Sequence, residues 1–178
     1  FIIILSVFVT SGFSTSLVQK KKTDQLDFST IFYCSLLFAI LIYALLFIFS
    51  PNIASFYRNK DLIPVVRVLG LVLPILAVNS IQQAYVARRL AFKKIFFSTT
   101  LATVSSGILG IVLAKLGFGV WSLVFQYIVN NFLSMLILFL QISWKPKPIF
   151  SIERAKSLMS YGWKVMIAEF LGNLFAQL

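Results

Sequence analysis

Glu169, Asn173 and Gln177 follow one another at four-residue spacing inside an apolar run, so on a helix they share one face. Polar groups at membrane depth are tolerated only where they face protein or water. Eight strongly apolar neighbours (Leu158, Val165, Ile167, Phe170, Leu171, Leu174, Phe175 and Leu178) favour insertion of this helix by roughly 4 kcal/mol in all. A central acid opposes it with about 2.5 to 3.5 kcal/mol, and the two amides bring the helix near break-even. The face is therefore expected to turn inward. Two readings are open: Glu169 lines a pathway and titrates there, or it pairs with a basic or amide side chain on a neighbouring helix.

Two further apolar runs carry amides at helical spacing. Gln126, Asn130, Ser134 and Gln141 fall within an arc of about 80°. Asn79, Gln82 and Gln83 fall within about 100°, with Pro74 able to kink the helix and re-aim them. Three amide-rich faces suggest one shared polar interior. The alternative is interhelical glue, at about 0.6 kcal/mol per bond. Arg67, Arg88 and Arg89 lie at the ends of one run, where a guanidinium either grips a phosphate or pyrophosphate or snorkels to headgroups. The row Ser106, Gly110, Ala114, with Ser98, Ala102 and Thr103 nearby, suits close helix contact. The stretch Thr10 to Ser16 is small and polar, and either bends its helix or packs against a neighbour. With no His and a single Cys34, neither an internal disulfide nor a Cys/His metal site can be assembled. No phosphate-binding Gly-rich loop and no nucleophile–base constellation is present. The residues point to no enzyme and no cofactor.

These faces need helices to carry them. Of 178 residues, 60% are hydrophobic and 12% are charged, against roughly 25% charged in a soluble domain. So little polar surface makes lipid the better solvent. The expected fold is an all-α, multi-spanning transmembrane helical bundle of about six helices: A at 1–19, B at 28–50, C at about 62–87, D at about 95–114, E at 120–144, and F from near 158. Barrel strands would show alternating stretches of roughly 10 residues, and none is seen. Pro51 is expected to stop B, and Gly117 to Gly119 to turn between D and E. Lys145-Pro146-Lys147-Pro148 should break E. Residues 149–159 then read as an amphipathic surface helix, with Ile149, Phe150 and Ile152 toward lipid and Glu153, Arg154 and Lys156 toward water. Asp24 and Asp27 read as an ordinary solvated loop. The organisation expected is residues 1–145 as five spans and 146–178 as a surface segment plus the start of the next span. Because the chain starts at Phe1 inside an apolar run, it is expected to be a piece of a longer protein.

The sixteen Lys and Arg set an orientation. Lys20, Lys21, Lys22, Arg88, Arg89, Lys93, Lys94, Lys145, Lys147, Arg154, Lys156 and Lys164 fall in alternate connections. Arg58, Lys60, Arg67 and Lys115 fall in the others. The segments 20–27, 88–94 and 145–157 should be cytoplasmic, in a multi-pass protein of a bacterial cytoplasmic membrane. The net charge of +11 arises from these short clusters between apolar runs, a pattern of topology determinants rather than of a nucleic-acid footprint.

The run QAYVARRLAFKK (83–94) is followed by GIVLAKLGFGVWSLV (110–124), with GFSTSLVQ (12–19) and IASFY (53–57) before them. Together they resemble bacterial polysaccharide exporters of the teichuronic-acid and colanic-acid translocase type, in the multidrug/oligosaccharidyl-lipid/polysaccharide exporter superfamily. The similarity spans nearly the whole chain. It implies a two-lobed transporter of a dozen or more helices, of which this chain would hold most of the amino-terminal lobe. It also implies flipping of lipid-linked glycan, carried on a polyprenyl pyrophosphate, by alternating access through a cationic polar cavity, with membrane lipids and possible glycan polymerase or assembly proteins as partners. Arg67, Asn79, Gln82, Gln83, Gln126, Asn130, Glu169 and Asn173 are the candidate pathway residues. A drug/cation antiporter of the same superfamily would need more acids than the one found in a span. A non-transporting scaffold would need no continuous polar cavity.

Overall fold

A computed structural model describes residues 2–20 and 23–176, apart from the side chains of residues 2–4, 8, 11–13, 161, 165–166, 169–171 and 173–176. Among the described residues the chain is all-α: α1 (Ile2–Gln19), α2 (Gln25–Phe56), α3 (Leu62–Gly70), α4 (Val72–Arg88), α5 (Phe92–Lys115), α6 (Val120–Gln141) and α7 (Ile152–Ala176). Four stretches are long and apolar enough to cross a membrane: α2, α3 continuing into α4, α5, and α6. In the bundle α4 packs against α1, α2 and α6, while α1 runs along α7 and α5 pairs with α6.

Lipid provides no hydrophobic drive between helices, so contact depends on small residues and interhelical hydrogen bonds. The α5–α6 seam follows that rule. Ser98, Ala102, Ser106 and Gly110 are buried one turn apart, whereas Ala114 is exposed, so the small-residue row begins and ends one or two turns earlier than its sequence pattern suggests. A Cβ on Gly110 would stand 2.7 Å from Gln126 Oε1. This glycine therefore sets the approach of α6 and receives its glutamine.

Several boundaries differ from the expectation, each for a local reason. α2 runs straight through Pro51. The proline cannot donate to the Phe47 carbonyl, and the Ser50 hydroxyl donates to it instead at 2.8 Å. Span C breaks at Leu71 rather than kinking at Pro74. Pro74 falls in the first turn of α4, where a missing N–H loses nothing, and the Leu71 N–H turns to Val68 O at 3.2 Å. α6 ends at Gln141, not at Trp144, and Ile142 is extended (φ −93°, ψ 142°). Residues 149–159 do not form a separate surface helix, because α7 is one continuous helix from Ile152 to Ala176. Ile149, Phe150 and Ile152 are exposed as expected, but Arg154 turns inward to a carboxylate. α1 is helical across Thr10 to Ser16, where Thr10 and Ser14 hydroxyls bond back to the carbonyls of Ser6 and Thr10.

Three helices end in the same six-residue closure. After α4, Leu90 N–H bonds to Ala87 O at 3.1 Å and Ala91 N–H to Val86 O at 3.2 Å. α2 closes likewise through Arg58 and Asn59, and α5 through Gly117 and Phe118. The closing residue must be left-handed: φ is 53° at Arg58, 54° at Leu90 and 85° at Gly117. Glycine does this without strain, whereas leucine loses about 1–2 kcal/mol. Leu90→Gly is therefore expected to raise thermal stability by about 0.5–1 kcal/mol after the added freedom of the unfolded chain is counted. Thermal unfolding in detergent checks it, and a lowered midpoint would mean that the exposed Leu90 side chain matters more than its backbone.

Candidate functional site

The basic connections after α1, α4 and α6 meet at one end of the bundle, and a buried acid organises them. Asp27, in the first turn of α2, has a fully buried side chain. It accepts two bonds from Lys20 Nζ at 2.9 Å, one from Arg154 Nη1 at 2.9 Å, and one from the Asp24 backbone N–H at 3.1 Å. The residue read as a solvated loop acid is thus the joint between α1, α2 and α7. Asp27 also holds the Arg154 guanidinium above its ordinary range.

The QAYVARRLAFKK run caps helices in trans. Arg88 Nη1 donates to the carbonyls of Leu17, Val18 and Lys20, closing the C-terminal end of α1. Lys94 Nζ donates to Gln141 O at 2.8 Å, closing α6. Beyond that point the chain lies extended along the start of α2. Ser29 Oγ accepts the Lys147 N–H and Thr30 Oγ1 the Ser151 N–H, both at 3.2 Å, while Gln25 Nε2 donates to Lys145 O at 2.7 Å. Trp144 is drawn into the core beside Phe28, Phe32 and Tyr85.

A groove of about 360 Å³ opens between α1 and α4. Thr10, Ser14 and Thr15 line one side, and Asn79, Ser80 and Gln83 the other. Asn79 is buried, and its Oδ1 has no partner among the described residues. Gln82, fully buried beside it on α4, has neither amide atom partnered among the described residues. A buried amide atom left unpaired is destabilising by about 1–3 kcal/mol, and among the described residues three such atoms, Asn79 Oδ1 and both amide atoms of Gln82, lie close together on α4.

The other candidates are placed elsewhere. Gln126 and Asn130 line a separate groove of about 500 Å³ against Val65 and Leu69 of α3. Asn130 Oδ1 also accepts a long 3.5 Å bond from Thr103 of α5. The α4 and α6 amides therefore do not share one cavity among the described residues. Arg67 donates from Nε to Ser50 Oγ at 2.8 Å and stacks over the Phe47 ring at 4.2 Å, pinned at the turn where α2 passes Pro51. Glu169 and Asn173 fall on α7, but their side chains, and Gln177 altogether, lie outside the described residues.

Four stretches apolar enough to span a membrane, a hydroxyl- and amide-lined groove between α1 and α4, and cations gathered at one end define a polytopic helical membrane protein. The chain belongs to the polysaccharide biosynthesis protein family, which it matches over residues 1–178. It is 23% identical to the succinoglycan biosynthesis transport protein ExoT of Rhizobium meliloti (strain 1021), over 89% of this chain and 32% of that protein. It is 26% identical to the teichuronic acid biosynthesis protein TuaB of Bacillus subtilis (strain 168), over 85% of this chain and 32% of that one. The lipopolysaccharide biosynthesis protein WzxC of Escherichia coli (strain K12) is 23% identical over 67% of this chain and 24% of its own length. The chain spans about a third of the length of the first two relatives. No solved structure matches it.

Proposed function

We propose that the chain is part of an exporter that passes lipid-linked glycan, carried on a polyprenyl pyrophosphate, across the bacterial cytoplasmic membrane by alternating access. The observation that carries this reading is the α1–α4 groove, where the buried Asn79 carbonyl oxygen has no partner among the described residues and lies beside Gln83 and three hydroxyl side chains of α1. Amides and hydroxyls both donate and accept, which suits the alternating donors and acceptors of sugar hydroxyls. In this reading the segments 20–27, 88–94 and 145–157 face the cytoplasm. Residues 1–145 form most of an amino-terminal lobe, and 146–178 lead into a second. Arg67, Gln82, Gln126, Asn130, Glu169 and Asn173 are secondary candidates along the pathway.

Deletion of the intact gene should remove surface polysaccharide and accumulate lipid-linked precursor in the cytoplasmic leaflet. Wild-type surface glycan in the deletion strain would sink the reading. Asn79→Leu separates function from stability. Removing an amide oxygen that is buried without a partner among the described residues, with an apolar side chain of similar size in its place, should leave the thermal midpoint unchanged or raised. Complementation with the same variant should nevertheless restore export poorly. Full export by Asn79→Leu would assign Asn79 to structure.

A further inference from the structure

A basin of about 580 Å³ lies at the basic end, between the α1–α2 connection, the end of α4 and the extended segment after α6. It is distinct from the groove. Its floor is aromatic: Phe28 and Tyr85 meet edge to face at 5.6 Å, and Trp144 lies 5.8 Å and 6.1 Å from them. Its rim carries Arg88, Arg89, Lys145 and Lys147 against one acid, Asp24. Asp24 is already engaged by Arg154 at 3.4 Å. Arg88 is committed to the α1 carbonyls, and Lys145 folds back onto Phe139. Arg89 and Lys147 remain exposed at the rim, with no carboxylate partner among the described residues, and the Arg89 guanidinium carbon sits over the Tyr85 ring, 4.5 Å from its centroid. In the floor, Trp144 is 4% exposed and its Nε1–H has no acceptor among the described residues. The basin rim thus gathers exposed positive charge with no carboxylate to neutralise it among the described residues.

We infer that this basin binds the phosphate headgroup of an anionic lipid in the adjoining leaflet, the cytoplasmic one by charge bias. A phosphodiester supplies countercharge and acceptor oxygens to Arg89 and Lys147. The setting argues for a lipid rather than a soluble anion. Leu90, Phe92 and Phe150 stand 77%, 54% and 53% exposed at the same end. Such an apolar collar belongs in the acyl boundary, which puts the basic rim at headgroup level. The inference is independent of the glycan reading, because neither the cargo nor the groove enters it.

The test uses the full-length protein purified in detergent. It is titrated with phosphatidylglycerol and, separately, phosphatidylcholine, and bound lipid is counted by native mass spectrometry. Phosphatidylglycerol should be retained and phosphatidylcholine should not. Arg89→Gln combined with Lys147→Gln should weaken retention roughly 30-fold, the effect of removing two cations near a charged headgroup. Arg89→Lys combined with Lys147→Arg should retain the lipid. The same neutralisation at the opposite end, Lys60→Gln with Lys115→Gln, should change nothing. Equal retention of the two lipids would overturn the proposal. So would equal loss from either neutralised pair, failure of the charge-keeping variant, or displacement of the lipid by millimolar inorganic phosphate.

Discussion

Asp27→Ala should destabilise the protein by about 3 kcal/mol, the lower end of what removing one partner from a buried ion pair costs. The lower end applies because Lys20 and Arg154 side chains are 33% and 36% exposed, so both released cations can reach water. What is lost is a joint. One carboxylate holds the end of α1 through Lys20, the first turn of α7 through Arg154, and the start of its own helix through the Asp24 N–H. Asp24→Ala provides the contrast. Its carboxylate is 69% exposed and meets Arg154 only at 3.4 Å, so its removal should cost about 1 kcal/mol, most of it the loss of the α2 N-cap. Thermal unfolding in detergent ranks the two variants. Hydrogen exchange adds the location, since Asp27→Ala should speed exchange in the first turns of α7 and leave the α5–α6 pair protected. Equal effects from the two aspartates would show that Asp27 is no more than a surface acid.

Apolar length was enough to read four spans among the described residues, α2, α3 with α4, α5 and α6, because a membrane span needs about 20 residues of uninterrupted hydrophobicity. The alternating Lys and Arg correctly grouped the connections after α1, α4 and α6, which do meet at one end. Helix ends were less legible, since they depend on partners far away in sequence. Pro51 looked like a stop and is bridged by Ser50, while Trp144 looked like helix and is drawn into an aromatic core. Asp27 was misread, although a signal existed. An acid three residues after Asp24, at the onset of an apolar run, is capping-box spacing. No such local signal marks Arg88, whose three acceptors lie about seventy residues earlier, at and just past the end of α1. The amide faces were legible as faces but not as a cavity. Which helix meets which is set by packing, and it divides Asn79 and Gln83 from Gln126 and Asn130 into two grooves.

Trp144→Ala should cost about 3–5 kcal/mol, the largest effect expected of any single truncation here. The indole is the common neighbour of Phe28, Phe32 and Tyr85, with ring centroids 5.8–6.1 Å away, and it belongs to the buried cluster that joins α1, α2, α4, α6 and α7. Nothing local is able to collapse into the space left behind. Tyr85 is tied to Ser143 at 3.2 Å, and the flanking backbone is fixed by Gln25, Ser29 and Thr30. Trp144→Phe discriminates between packing and polarity. The Nε1–H has no acceptor among the described residues, so losing it removes no hydrogen bond to them, and Phe restores most of the ring area. Its cost should be nearer 1 kcal/mol, read as a much smaller fall in detergent midpoint than for Ala. If Phe were as damaging as Ala, the indole N–H would have to hold a bond that matters, and the basin rather than the core would be where Trp144 acts.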